Sequence, residues 1–576
     1  MTYFSNFKKC LFIIDKKVTN LVPYILVSLI LAGVDILGLG LVFPYINYII
    51  DPQSSVSQNT KFFFENYLPF FQSYNLIIVL SFLVLIAFIL KNILNFFLTA
   101  IIYKFATREI SILRPRLMFI YQNMDYLNYV KRKQVEYLRN INDLTQTCLS
   151  SVEYYLRVIT DLIIIVILFG YMFWFNPKVL TYFLILILSV MLPLFFILKK
   201  RTVKYGNEYV SGLELLYKNV SEAIMGIKEI KVLDKDNFFL KKIKNAAHRL
   251  YKAAFLSHLN NIVIPPLIEV ALILFVVSLI GYAALFKSSA AEIIPVLSIF
   301  ALVAIRTIPL CQRVVRNSNR INYYQKSVDV VYNDILNLAG EKKDLKKRDN
   351  NKTFEQIEFR NINFKYPAST NAVFNNLNLF IKKNECIGII GESGSGKTTL
   401  IDLLLGLLKP QSGEIFINGK YNSNFSLNLS YFSAYLPQKP LLLESSIKEN
   451  ITLEENDSLI NQSQLVMALK NSNILNFVKS LPAKEETVIG DKGLRVSGGQ
   501  AQRIALARIF YHAKEIIIMD EATSSLDSKT EEEIIENLNS YKGKKTIIVI
   551  THKKETLKYV DKVYEIKDKN LKEILN

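Results

Sequence analysis

The sequence predicts two unlike domains in series, an α-helical membrane domain of six spans followed by an α/β domain built around a phosphate-binding loop. Three observations predict it. Six apolar runs, each near the ~20 residues that cross a bilayer, end by residue 313, and none follows residue 340. From about Phe354 the pattern changes to short apolar strands separated by turns and helices, as an α/β domain requires. Within that stretch the strand CIGII runs into GESGSGKTT and then into a helix. Of the 576 residues, 51% are hydrophobic and the mean hydropathy is +0.24. That excludes a disordered chain, a collagen or a small disulfide scaffold, and is too apolar for an ordinary cytosolic protein of this length.

The six runs lie at 21–50, 76–103, 155–175, 179–198, 262–286 and 293–313. The start, MTYFSNFKKCLFIIDKK, places lysines before an apolar run as a signal peptide does. The span that follows is too long and carries no small-residue cleavage site, so the segment reads as retained. Lys and Arg near the span ends set the orientation. Residues 51–75 hold only Lys61 against Asp51 and Glu65, whereas 104–150 hold Lys104, Arg108, Arg114, Arg116, Lys131, Arg132, Lys133 and Arg139. The first connection is therefore outside, the second inside, and both termini are cytoplasmic. The cytoplasmic connections 104–150 and 199–258 show helical spacing of apolar residues, as in SGLELLYKNVSEAIMGIKEIKVL, so the spans continue as helices beyond the membrane. Positive-inside topology and surface lysines account for the net charge of +19 without a nucleic-acid partner. Cys10, Cys148, Cys311 and Cys386 are scattered, without metal-ligand or disulfide spacing. The domains divide as 1–335 for the spans, a polar, charged linker at 336–353, and 354–576 for the α/β part.

In the second domain, Gly391-Glu392-Ser393-Gly394-Ser395-Gly396-Lys397-Thr398-Thr399 fits GxxxxGK[ST] between a strand and a helix. Its backbone N–H groups wrap phosphate oxygens at the positive end of the helix. Lys397 neutralises the outer phosphates, and the Thr398 hydroxyl ligates magnesium. Residues 516–519 form a buried strand that delivers Asp520 and Glu521 to its end. Asp520 suits magnesium held through water, and Glu521 suits a general base acting on the attacking water.

Between these motifs, Val496-Ser497-Gly498-Gly499-Gln500-Ala501-Gln502-Arg503 opens the helix IALARIF and resembles the signature motif of ATP-binding-cassette (ABC) transporters. The family usually has Leu where this chain has Val496. The resemblance implies further roles. Tyr366 in FKYP matches the aromatic residue that stacks on adenine. Gln438 in YLPQKP matches the glutamine that touches magnesium and senses the membrane domain. Asp527 matches the D-loop, and His552 after KTIIVIT matches the switch histidine at the γ-phosphate. Six spans followed by one cassette resemble an ABC exporter half-transporter. In that family Ser497, Gly498, Gly499 and Gln500 meet ATP bound to the P-loop of another cassette. One cassette per chain thus implies a dimer, here a homodimer, in the bacterial cytoplasmic membrane. ATP closes the cassettes, coupling helices near 124–132 and 208–218 pass closure to the spans, and hydrolysis resets them.

Ionisable residues inside spans are functional candidates: Asp35, Lys91, Asp161, Glu269 and Arg306, with Arg313 near the cytoplasmic edge. Two readings stand, internal pairing of these charges and a basic lining for an anionic, phosphate-bearing head group. The run IRTIPLCQRVVRNSNRINYYQKSVDVVY, with GVDILGLGLVFP, Lys91 and GIKEIKVLDKDNFF, resembles the PglK-like lipid-linked-oligosaccharide flippases of bacterial N-glycosylation and O-antigen pathways. That resemblance implies a polyprenyl-diphosphate glycan met by Lys91, Arg306 and Arg313. Lys91 stands where Arg is expected, and Pro265-Pro266 where Pro-Arg is common. Export of other lipids or hydrophobic drugs is the alternative. The external stretch 61–74, too short to span, suits either an interfacial helix or an aromatic-anchored loop.

Overall fold

A computed structural model of the chain describes residues 2–50, 53, 55–67, 75–175, 177–285, 290–339, 353–367, 369–422, 429–490, 496–521, 528–551 and 557–574. Among the described residues, twelve α-helices form the first part. These are α1 (Thr2–Ile13), α2 (Val22–Ile50), α3 (Ser55–Tyr67), α4 (Leu76–Asn123), α5 (Tyr126–Lys131), α6 (Gln134–Arg139), α7 (Thr145–Phe175), α8 (Pro177–Met225), α9 (Ile227–Val232), α10 (Asp236–Ile262), α11 (Ile264–Leu285) and α12 (Ala290–Ala339). The runs 76–103, 155–175, 179–198 and 293–313 fall within α4, α7, α8 and α12; 21–50 is α2 with one residue before it, and the described part of 262–286 is α11 with Ile262 and Val263 before it. By length and composition, the described helices include three segments apolar enough to cross a membrane, Val22–Val42, Leu76–Asn123 and Asp236–Ser278.

The helix α4 has 48 residues, hence a length of ~72 Å against a hydrocarbon thickness of ~30 Å. More than half of it must leave the membrane, as the helical spacing of the cytoplasmic connections predicts; α8 and α12 are as long. The helices α10 and α11 are interrupted at Val263, just before Pro265 and Pro266. A proline there removes a helical N–H and disfavours helical backbone in the residue ahead of it. Of the stretch 61–74, the part up to Tyr67 is helical: it belongs to α3, which carries Phe62 and Phe63, both exposed. Its continuation 68–74 lies outside the described residues. Residues 208–218 lie inside the continuous helix α8, so the short helix expected there is instead α9, at the turn between α8 and α10.

The core of this part is the packing of α12 on α7, with α4 and α2 against them. Leu117, Leu144, Leu149, Leu156 and Val331 are fully buried in it. Between α6 and α7 the chain makes a π-helical turn, Asn140–Leu144, an insertion that re-aims side chains. All four cysteines are free. The helix α12 runs to Ala339, into the stretch read as linker; residues 340–352 lie outside the described residues.

The second part carries β1 (Gln356–Phe364), β2 (Phe374–Lys382), β3 (Cys386–Gly391), α13 (Lys397–Leu404), β4 (Ser412–Ile417), β5 (Lys420–Tyr421), β6 (Ser433–Leu436), α14 (Ile447–Thr452), α15 (Gln462–Asn471), α16 (Leu475–Ser480), α17 (Gly498–His512), β7 (Ile516–Asp520), α18 (Ser528–Asn539), β8 (Thr546–Ile550), β9 (Lys562–Lys567) and β10 (Asn570–Ile574). An antiparallel sheet has the order β2-β1-β4-β5, and a mostly parallel one the order β10-β9-β3-β8-β7-β6. The strands β3, β7 and β8 are near-continuous buried runs rich in Ile (Cys386–Ile389, Ile516–Met519 and Thr546–Ile550), as expected of strands covered on both faces. By its contacts the chain divides into two units. Met1–Met124 with Tyr129–Lys342 form the first; Asp125–Asn128 group with Lys343–Asn576 in the second, where Tyr126 and Leu127 pack against the sheet core.

Candidate functional site

In a parallel sheet the loops at the carboxyl ends of adjacent strands converge, and ligands bind there. The central strands run β3-β8-β7-β6, all parallel. After β3 comes the glycine-rich loop, after β7 Asp520 and Glu521, and after β6 Gln438. Three stretches far apart in sequence thus deliver their residues to one edge. His552 follows β8 and Asp527 follows β7; both lie outside the described residues.

The loop between β3 and α13 takes backbone angles suited to glycine, with φ of 82° at Gly394 and 108° at Gly396. A Cβ on Gly396 would lie 2.8 Å from Val373 and 3.0 Å from Phe374, so the turn packs tightly on β2. The Lys397 ammonium donates to the carbonyls of Gly391 (2.7 Å) and Glu392 (3.0 Å). Glu392, Ser393, Gly394 and Thr398 are exposed. The buried Ser395 Oγ lacks a partner. A buried hydroxyl without a bond is costly, and it sits inside the loop that the sequence assigns to phosphate. The Tyr366 ring packs edge-on against Phe364, and its hydroxyl is 3.1 Å from Thr399 Oγ1, which fixes it beside the first turn of α13.

At the end of β7, Glu521 has a φ of 46°, a left-handed conformation rare for a side-chain-bearing residue. Its N–H donates to the Ile550 carbonyl (3.0 Å), and its carboxylate accepts from Gln438 Nε2 (2.8 Å). The Gln438 carbonyl accepts in turn from Gln502 on α17 (3.4 Å). Asp520 accepts from the Tyr435 hydroxyl (3.3 Å). Burial pushes the Asp402 carboxyl on α13 up to about 6, and the charge of Asp520 adds to this. Burial also raises Asp520; the Tyr435 hydroxyl opposes that, the Glu521 charge adds to it and the Lys397 ammonium opposes it. Crowded carboxylates beside one ammonium are a place for a cation. Tyr435 and Asp402 were absent from the sequence-based set. A lone acid in the apolar helix KTTLIDLL was the available signal for Asp402.

Ser497 caps α17: its Oγ accepts from the Gln500 N–H (3.3 Å), and the Gln500 side chain accepts from the Ser497 N–H (2.8 Å). Ser497 and Gly498 are exposed, Gly499 partly so. Among the described residues no hydrogen bond joins 497–500 to the loop 391–399.

In the first unit, Lys91 lies on α4, partly exposed. Arg313 on α12 grips Asp161 on α7 with its fork, at 2.9 and 3.2 Å, and Asp161 is buried. This is the internal-pairing geometry. The side chains of Asp35 and Arg306 lie outside the described residues. Glu269 on α11 is exposed.

Residues 23–307 match the family model described as ABC transporter transmembrane region, and residues 374–524 the one described as ABC transporter. ABC transporter B family member 13 of Arabidopsis thaliana is 38% identical over 221 residues, 38% of this chain and 17% of that protein. ABC multidrug transporter mdr1 of Aspergillus fumigatus is 37% identical over 212 residues, 36% of this chain and 16% of that one. A probable ABC transporter ATP-binding/permease protein of Haemophilus influenzae is 35% identical over 238 residues, 41% and 42% of the two chains. The chain thus spans less than half the length of each of these relatives. A solved bacterial Atm1-family ABC exporter with ATP bound superposes with a TM-score of 0.77 at 17% identity, over 96% of this chain and 93% of that one. The likeness is one of fold: a helical ABC membrane domain followed by an ABC cassette.

Proposed function

We infer that this chain, an ABC transporter in both of its domains, is an exporter half-transporter that couples ATP hydrolysis to translocation, and that its cargo is a polyprenyl-diphosphate-linked oligosaccharide moved from the cytoplasmic to the outer leaflet. The observation that carries the ATPase reading is the convergence of the loop 391–399, Asp520, Glu521 and Gln438 at one sheet edge. Lys397, now on two loop carbonyls, exchanges them for the outer phosphates of ATP, and Ser395 gains a partner. Thr398, Asp520 and Gln438 are the residues that would hold magnesium, which supplies charge neutralisation when bound. Glu521 takes the proton of the attacking water, oriented meanwhile by Gln438, while His552 holds the γ-phosphate and Tyr366 the adenine.

Two features support a second copy as partner. The capped, exposed start of α17 stands unbonded to the loop of its own cassette. Around α9, Met225, Val232 and Leu233 are exposed by 82%, 77% and 64%, an apolar tip that water does not favour. The helices α5 and α9 are proposed as the coupling helices. For the cargo, Lys91 and Arg306, rather than the Asp161-bound Arg313, are proposed to meet the diphosphate, with α3 at the outer interface. The exposed Glu269 and the multidrug relative support a second reading, export of hydrophobic cations.

The test is reconstitution with a fluorescent polyprenyl-diphosphate oligosaccharide or a hydrophobic cationic dye. Lys397→Ala and Glu521→Gln should each lower hydrolysis by ~10² or more and stop translocation. Near-normal hydrolysis in either variant refutes the assigned roles. Movement of the dye but not the glycan lipid selects the second reading.

A further inference from the structure

Asp334 lies on α12 between Val331 and Ile335, both fully buried. Residues three and four apart share a helix face, so the sequence sets a carboxylate into the core face of an otherwise apolar turn. It is 4% exposed and receives three donors from three places in the chain. Tyr121 Oη, near the cytoplasmic end of α4, lies 2.5 Å from Oδ2; Asn140 Nδ2, at the start of the π-helical turn, 3.0 Å from Oδ2; and Arg132 Nη1, just after α5, 2.9 Å from Oδ1. The cluster extends through Asn140 Oδ1 to Arg139, also buried, whose Nη1 is 2.7 Å from Glu214 on α8. Tyr137 closes it from the side, stacked on Tyr129 at 5.0 Å and edge-on to Tyr121 at 4.8 Å, and its hydroxyl donates to the Tyr129 carbonyl.

A buried ion pair of this kind adds little stability over well-packed apolar residues. What it adds is direction: the carboxylate is satisfied in one mutual arrangement of α4, α5 and α12. Its position matters because α5 is one of the proposed coupling helices, and its Tyr129 and the following Arg132 are held by Tyr137 and Asp334. We propose that Asp334 is a positioning residue that locks α5 to the cytoplasmic ends of α4 and α12, so that displacement of α5 on nucleotide binding moves those helices instead of being absorbed at α5.

The proposal rests on the nucleotide-driven reading but not on the identity of the cargo. Its test is hydrogen–deuterium exchange of the full-length protein in nanodiscs, with and without ATP and vanadate, for wild type, Asp334→Asn, Asp334→Glu and Tyr121→Phe. Asp334→Asn is expected to hydrolyse ATP within about two-fold of wild type and to keep the protection of residues 391–405. Its nucleotide-dependent change in α4 and α12 should fall by about five-fold or more. Asp334→Glu should restore part of that change. A full α4 and α12 response in Asp334→Asn, or hydrolysis and response lost in parallel, overturns the proposal and leaves the cluster a packing feature. If Asp334→Asn does not fold, Tyr121→Phe, which leaves Arg132 and Asn140 in place, decides by the same criterion. A wild type that protects 391–405 without altering α4 and α12 also overturns it, whereas absent protection of 391–405 refutes the ATP reading itself.

Discussion

Replacing Gly206 by alanine sets two rules against each other. In a helix interior alanine is favoured over glycine by ~1 kcal/mol, so propensity alone predicts a more stable protein. Gly206 is buried where α8 crosses α12, and a Cβ there would stand 2.1 Å from the Tyr323 carbonyl oxygen, 2.9 Å from its carbon and 3.2 Å from its Cα. All three are backbone atoms of a helix, which cannot swing aside as a side chain end would. Carbon and oxygen need roughly 3.3 Å, so the axes must part by about 1 Å. Overpacking of this kind costs ~3 kcal/mol, and after the propensity gain a net loss of ~2 kcal/mol remains. At ~2–4 °C per kcal/mol for domains of a few hundred residues, Gly206→Ala should melt ~4–8 °C below wild type in detergent. Gly170, with nothing within 4 Å of its Cβ position, serves as control, and Gly170→Ala should melt at or slightly above wild type. A Gly206→Ala protein as stable as wild type refutes the crossing geometry.

Arg313→Ala leaves the buried Asp161 without its partner. Asp161 is buried but the Arg313 side chain is 40% exposed, so losing the charged hydrogen bonds costs ~1–3 kcal/mol; folded yield and thermal stability should drop, and Asp161→Asn added to it should recover both, whereas selective loss of translocation at normal stability would instead give Arg313 a cargo role. The Asp402 carboxyl binds its proton more tightly in the fold (about 6) than unfolded (3.8). The contribution of Asp402 to native stability is therefore greatest below pH 4 and declines as pH rises through 4 to 6. The full shift amounts to ~3 kcal/mol, reduced by partial solvent access to ~1–2 kcal/mol. Asp402→Asn should stabilise the nucleotide-free protein by that amount at pH 7.5 and by about half as much at pH 5. A gain independent of pH in thermal melts would refute the assignment.

What could be read in the sequence follows the range of the interactions. The loop 391–399 is a local motif whose strand and helix flank it directly, and the apolar spans announce themselves by length. Asp520 and Glu521 were legible because the buried strand before them is a short apolar run. Asp402 and Tyr435 were not, since they matter only through neighbours brought in by the sheet order β8-β7-β6. The pairing of Arg313 with Asp161 joins positions 152 residues apart, and the sequence left it as one of two readings. The short helix expected near 208–218 is absent there, and α9 follows only at Ile227–Val232, because the spacing of SGLELLYKNVSEAIM is helical throughout and nothing in it marks where the long helix ends. Gly206 looks like any helical glycine until α12 is laid across it.

The left-handed backbone of Glu521 has an evolutionary side. A side chain held at φ 46° costs of order 1 kcal/mol or more, which glycine would not incur. Against that cost the glutamate has the bond its carboxylate accepts from Gln438; a lineage in which that carboxylate no longer served would find glycine here the less strained residue. On the proposed role as general base, it is the chemistry at the strand end, and not the preference of the backbone, that keeps a glutamate at this angle.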